Sequence, residues 1–195
     1  YINTACIGKK IEGFDLSPAH ILAGDRVLVS GPIGDHGMAV MCMRAGIDLA
    51  DGPRTDSGPV HRLVLAARSH AKEVRFMRDP TRGGVATVVN EIAGGQPVDI
   101  VLDEASIPVS ARTRAVAEML GLDPLHAACE GRALLVCAAG AEEPILRAWR
   151  QLPEGAGAKR IGEVTAGKGR VLMTTVTGSR RIVDIPRGEL LPRIC

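Results

Sequence analysis

Apolar residues recur along this chain with two periods, and the alternation between them predicts its elements. Val85, Val88, Val89 and Ile92 fall at i, i+3, i+4 and i+7, one stripe of a helix, with Thr87, Asn90 and Glu91 on other faces. Val60, Leu63, Val64 and Ala67 mark a second helix running to about Ser69, with Ser57 as its N-cap and Pro59 in its first turn. Residues 110–120 predict a third helix, closed by Gly121. Ile145, Ala148, Trp149 and Leu152 predict a fourth, which makes Trp149 a core residue, and a fifth runs from about Met38 to Arg44. Short apolar runs predict strands at 25–30, 98–102 and 133–138, then at 158–164, 171–175 and 180–184 with Gly167, Gly169 and Gly178 in the turns. The run at 133–138, ALLVCA, is apolar throughout, which suits a strand central in a sheet. Helices and strands alternate first and strands close the order. That order predicts an α+β domain, a mixed sheet covered by helices on one side. Residues 1–10 read as a further strand and exit, and 17–24 as a linker punctuated by Ser-Pro and Ala-Gly.

Composition narrows the function classes. Apolar residues make up 46% and charged residues 24%, ordinary for a globular protein, while aromatics are only 2%. So few aromatics leave no stacking platforms for single-stranded nucleic acid, and a net charge of +2 is too small to seek polyanions in general; no nucleic-acid partner is expected. No apolar run approaches a membrane span, and no secretory leader opens the chain, so no membrane partner is expected. Five cysteines, an odd number without a C-x-x-C pair, fit neither a disulfide framework nor a zinc site and suit a reducing cytoplasm; no metal ligands are singled out. The start at Tyr1, inside the strand-like YINTACIG, suggests a chain that continues upstream.

Four stretches carry candidate chemistry. The first is residues 76–93, FMRDPTRGGVATVVNEIA: a strand end, a tight loop and a helix. Pro80 biases Asp79 towards an extended backbone, and Gly83 and Gly84 permit a sharp turn and a close approach. A helix N-terminus beside Arg78 and Arg82 suits a phosphate, and Asp79 has the chemistry to hold a metal ion. The competing reading is a turn in which Asp79 and Thr81 only cap the helix. The second is Gly31-Pro32-Ile33-Gly34-Asp35-His36-Gly37, a strand–loop–helix junction without a dinucleotide or Walker fingerprint, whose His36 is either structural or part of a site. The third is Glu130, between Cys129 and Gly131 at the edge of the ALLVCA strand. There it is either a general base made less acidic by burial or a solvated glutamate paired with Arg132. The fourth is IPRGELLPRIC, residues 185–195, where Pro186, Gly188 and Pro192 prevent regular structure. Eleven extended residues reach on the order of 35 Å, so the terminal Cys195 thiol could visit more than one pocket. An adventitious disulfide or an unused thiol are the competing readings.

RDPTRGG followed by a helix with NEIA resembles the glycine-rich signature of the HypE family of hydrogenase maturation factors. That family lies within the superfamily of aminoimidazole ribonucleotide synthetase and selenophosphate synthetase. The terminal LPRIC, the G-x-x-G-D-H-G at 31–37 and the glutamate before ALLVCA extend the resemblance over almost the whole chain. In this chain Cys129 stands where the family pattern has Asn before its Glu-Gly, which leaves the role of Glu130 intact and puts any hydrogen bond from that Asn in doubt.

The resemblance implies an ATP-dependent dehydratase that acts on its own terminal cysteine. A carbamoyltransferase, HypF, places a carbamoyl group on Cys195. ATP with Mg2+ activates the carbamoyl oxygen, Glu130 removes protons, and the resulting thiocyanate supplies cyanide for the [NiFe]-hydrogenase iron through HypC–HypD. It implies Asp79, Thr81, Arg82, Gly83 and Gly84 as nucleotide-binding residues, further ligands in an N-terminal domain, and a homodimer when full-length. It also divides the chain into the end of that N-terminal domain (1–16), a linker (17–24), the C-terminal α+β domain of the superfamily (25–184) and a tail (185–195). Two other classes stay open: another ATP-using kinase or synthetase of the superfamily, in which a terminal LPRIC has no obvious job, and a non-catalytic domain whose tail docks on a partner.

Overall fold

The computed structural model describes residues 5–185. A seven-stranded sheet runs through it: β1 (Arg26–Val29), β2 (Val74–Arg78), β3 (Val98–Asp103), β4 (Leu134–Cys137), β5 (Lys159–Ala166), β6 (Val171–Thr174) and β7 (Arg180–Ile182), in the spatial order β2-β4-β1-β5-β3-β6-β7. The sheet is mixed: β3 and β6 are parallel, and every other neighbouring pair is antiparallel. The helices are α1 (Asp35–Arg44), α2 (His61–Ala66), α3 (Gly84–Ala93), α4 (Ala111–Leu120) and α5 (Glu142–Arg150). The α+β class with a mixed sheet and covering helices is as expected.

Alternation along the strands sends side chains to two cores, because successive residues of a strand point to opposite faces. Val27, Val29, Leu134 and Val136 face one side, where they meet the α3 stripe of Val85, Val88, Val89 and Ile92. Leu28, Leu135 and Cys137 face the other and meet Leu63 of α2 and Ile145, Leu146 and Trp149 of α5. The sheet is therefore covered on both faces, not one as expected. A wholly apolar strand such as β4 requires this, since both of its faces must leave water. β4 is interior, but it lies second from the sheet edge. Trp149 is fully buried and donates Nε1–H to Leu63 O at 2.9 Å, fastening α5 to α2, so its core reading holds.

Three local expectations change. Helix α1 starts at Asp35, because Gly34 takes a left-handed backbone (φ +79°) and begins the helix earlier. Helix α2 is short and has no side-chain cap; Ser57 does not cap it, because residues before it run out to interlock with the Glu130 loop. Residues 5–10 form no strand, having no neighbouring ladder among the described residues; residues 1–4 of that expected strand lie outside them. Residues 14–24 lie against the domain: Phe14 is buried in the second core, Ser17 N donates to Arg75 O, and Gly24 N donates to Val164 O.

At the other end of the chain, Val183 is buried, and its N–H donates to Val171 O at 2.9 Å. Its carbonyl accepts from Asn90 Nδ2 of α3, also at 2.9 Å. The chain thus leaves the described domain tied to the helix that begins at the glycine pair.

Candidate functional site

β1 and β2 both run antiparallel to β4, so the residues after β1, the residues after β2 and those before β4 meet at one end of the sheet. The three segments are joined by their backbones. Cys129 N donates to Pro80 O at 3.0 Å, and Gly37 N donates to Ala128 O at 3.0 Å. Gly34 N donates to the Cys129 thiol at 3.2 Å. The glycine-rich loop, the G-D-H-G loop and the Glu130 loop, far apart in sequence, are therefore neighbours at one end of the sheet. Cys129 does structural work there: it is fully buried, and that burial pushes its thiol up to about 12, so it is not a nucleophile near neutral pH.

Helix α3 begins at Gly83 (φ +74°) and Gly84 (φ +61°) with no side-chain cap, so neither the Asp79 nor the Thr81 side chain caps it, while Thr81 O accepts the Gly84 N–H at 2.9 Å. Gly84 is buried, and a Cβ there would overlap the carbonyls of Leu125 and Ala127. Its lack of a side chain thus serves contact with the chain's own 125–127 segment. Gly83 has no such backbone neighbour; a Cβ there would meet the side chain of Thr87. Arg78 is engaged by Glu91 in an ion pair, which leaves it less available to an anion. Arg82 and Asp79 are exposed, and Thr81 is half-buried. The loop presents an uncapped helix start and an exposed guanidinium, donors and positive charge that suit phosphate oxygens.

Glu130 is exposed, so the described domain does not supply the burial expected for it. Nor does Arg132 pair with it. Arg132 donates Nε–H to Pro32 O and Nη1–H to Glu154 O, and lies 3.4 Å from Asp56 Oδ2. Sequence reasoning missed Asp56. Its side chain is 1% exposed; Oδ1 accepts the Glu130 N–H at 3.1 Å, while Oδ2 has no aligned hydrogen bond. Its sequence signal was only one acid in a polar loop.

Asp35 accepts from Ser110 Oγ (2.8 Å) and Thr113 Oγ1 (2.5 Å), which places it as the tie between α1 and α4. His36 Nδ1 shares a hydrogen bond with Thr55 Oγ1 at 2.7 Å, and its Nε2 is buried without a partner. Cys195 lies outside the described residues. Among the described residues no group of three or more His, Cys, Asp or Glu is arranged to hold a metal ion, and no helix is long and apolar enough to cross a membrane.

Residues 23–174 match the family described as AIR synthase related protein, C-terminal domain. The carbamoyl dehydratase HypE of Cupriavidus necator is 43% identical to this chain over 196 residues, which cover all of this chain and 56% of that protein. A crystal structure of the hydrogenase maturation protein HypE in complex with ATP matches 92% of this chain and 55% of its own, with a TM-score of 0.85 at 35% identity. A HypE–HypF complex matches 90% of this chain and 57% of its own, with a TM-score of 0.86 at 36% identity. The chain thus spans little more than half the length of the relatives it resembles.

Proposed function

The chain belongs to the AIR synthase related family as its C-terminal domain, and from that premise we propose that it is the C-terminal portion of a HypE-type carbamoyl dehydratase. The longer protein converts a carbamoyl group on Cys195 into a thiocyanate, using ATP, in the maturation of [NiFe]-hydrogenase. The thiocyanate supplies the cyanide ligands of the iron. The observation that carries this reading is the hydrogen bond from Cys129 N to Pro80 O, which brings the RDPTRGG loop and Glu130 to one end of the sheet. Phosphate binding and proton removal are the two operations the dehydration needs from the protein.

ATP supplies a phosphoryl group that makes the carbamoyl oxygen a leaving group. For the rest, the residues divide the work. The loop of Thr81, Arg82, Gly83 and Gly84 would hold the phosphates through the exposed Arg82 guanidinium and the helix start, with the Gly84 N–H itself given to Thr81 O at 2.9 Å, and Asp79 would offer the loop's exposed carboxylate to Mg2+. Glu130 takes protons from the carbamoyl nitrogen as the C–N bond gains order and the C–O bond breaks. The sulfur of Cys195 stays bonded to carbon throughout and carries the product. The net change is loss of one water from the S-carbamoyl group, with ATP converted to ADP and phosphate. The exposure of Glu130 accords with a base that is covered only when a mobile substrate or a further domain arrives.

The last described residues are tied to α3, the helix that begins at the glycine pair. On this reading residues 1–16 are the end of a preceding domain, with Phe14 reaching into the second core of this one, 17–24 are a linker laid against the sheet, 25–184 the C-terminal domain and 185–195 the carrier tail. The partners are HypF, which loads the carbamoyl group, and HypC–HypD, which receives the cyanide; the full-length protein is a homodimer in the cytoplasm. Four free cysteines among the described residues support a reducing compartment.

The test is Cys195→Ser in the full-length protein. Serine lacks the sulfur, so no thiocyanate should form. Thiocyanate formation at the wild-type rate contradicts the reading.

A further inference from the structure

Glu130 carries an exposed side chain on a backbone held from three directions. Its N–H donates to Asp56 Oδ1 at 3.1 Å. Its carbonyl accepts from Gly58 N at 3.3 Å. The next residue, Gly131, lies so close to Asp56 that a Cβ there would overlap the Asp56 carbonyl. Two of the three constraints come from Asp56 itself. That residue is in turn fixed by burial and by Arg132, whose guanidinium also grips Pro32 O at 2.9 Å and Glu154 O at 3.2 Å. One buried carboxylate therefore registers the Glu130 backbone against the loop before α2 and, through Arg132, against the loop that follows β1. The remaining oxygen, Oδ2, faces Arg132 without an aligned hydrogen bond. Burying a charge this deeply is costly unless it is paired, so the arrangement is not the cheapest way to close a turn.

We propose that Asp56 is a positioning residue for Glu130: its Oδ1, through the Glu130 N–H, fixes the point from which the Glu130 carboxylate reaches the nitrogen of the S-carbamoyl group. The proposal rests on Glu130 being the base that removes protons during dehydration. Asp56 does not touch the reacting atoms. It acts by placement, and a displacement of about 1 Å at a reacting group can cost on the order of a hundredfold in rate.

The experiment uses full-length protein with a preformed S-carbamoyl group on Cys195. Loss of water is followed by mass in a single turnover with ATP, together with the ATP concentration for half-maximal rate. Asp56→Ala should slow the dehydration by roughly tenfold or more while half-saturation by ATP moves by less than about twofold. Asp56→Asn keeps an acceptor at Oδ1 and should stay within about threefold of wild type. On a Glu130→Gln background, Asp56→Ala should add less than about a further twofold, because two residues that act as a unit are not additive. Equal losses on both backgrounds mean a general structural role and overturn the proposal. Glu130→Gln at the wild-type rate removes the base reading and this proposal with it. A slow Glu130→Gln beside an Asp56→Ala at the wild-type rate overturns the positioning role alone. If the alanine variant does not fold, the asparagine variant decides: a loss of roughly tenfold with an unchanged melting temperature shows that the charge matters and not the Oδ1 hold on the Glu130 N–H, and overturns the proposal.

Discussion

The two ends of the sheet each bury an aspartate beside an arginine, and they use the pair differently. At the start of β3, Asp99 accepts four hydrogen bonds: from Lys168 N and Arg170 N to Oδ1, and from Arg170 Nε and Nη2 to Oδ2. Both oxygens are satisfied, and the turn between β5 and β6 is closed on them. The side-chain hydrogen bonds from Arg170, with the backbone N–H groups after them, hold the Asp99 carboxyl down at about 2. At the opposite end, Asp56 has one aligned hydrogen bond and an arginine whose own donors go to two other loops. A fully satisfied carboxylate has nothing left to do but hold a turn. One left partly satisfied, among loops that carry the candidate chemistry, marks the end of the fold where local stability has been traded for placement.

The largest expected effect breaks the site-end pair. Arg132→Ala leaves the Asp56 charge buried and uncompensated, so unfolding stability should fall by about 3 kcal/mol, read as a shift of the urea midpoint. An unchanged midpoint means that Asp56 is solvated once Arg132 is gone, and the contrast between the ends fails. Gly131→Ala comes next. The new Cβ runs into backbone at Asp56, not into a side chain that can rotate, and should cost about 2 kcal/mol with the loss concentrated in the Glu130 loop. Amide hydrogen exchange at Glu130 checks where the loss falls.

The far-end pair should matter less and show a pH signature. Asp99→Asn should cost about 1 kcal/mol near neutral pH, because Arg170 is 57% exposed and water screens the pair. The folded carboxyl is depressed from 3.8 to about 2, so its contribution is complete above the higher value and lost as pH falls through the lower. The melting-temperature gap between wild type and Asp99→Asn should therefore be constant above pH 5 or so and shrink between those two values. A gap that persists at the acid end shows that the charge is not what the turn uses.

The smallest effect separates the two glycines of the loop. Gly83→Ala adds a Cβ at a left-handed backbone and against Thr87, and should cost about 1 kcal/mol by thermal melting. Thr87→Ala in the same chain should return part of it. Gly84→Ala should cost more, since its neighbours are backbone carbonyls. Equal costs would mean that the 125–127 segment yields easily.

Much of the fold was legible because its signals are local. The α3 stripe, the burial of Trp149, the Gly121 C-cap (φ +66°) and the turns around the last three strands each follow from residues within one element. The juxtaposition of RDPTRGG with Glu130 was legible only through the resemblance, since no pattern in one segment encodes it. Asp56 was not legible at all. Its partner is 74 residues away, and its loop, with Ser57 and Pro59, reads as the approach to a capped helix. The same long-range contact explains the short α2 and the missing Ser57 cap. The second covered face of the sheet was implicit in ALLVCA, whose unbroken apolar run leaves no side for water.

The most direct measurement is the intact mass of the full-length protein incubated with carbamoyl phosphate, ATP and the carbamoyltransferase, with peptide mapping of the adduct to Cys195. The account predicts a gain matching one carbamoyl group on Cys195, followed, only when ATP is available to the loaded protein, by the loss of one water. A carbamoyl adduct on another residue, or one on Cys195 that never loses water with ATP, would contradict it.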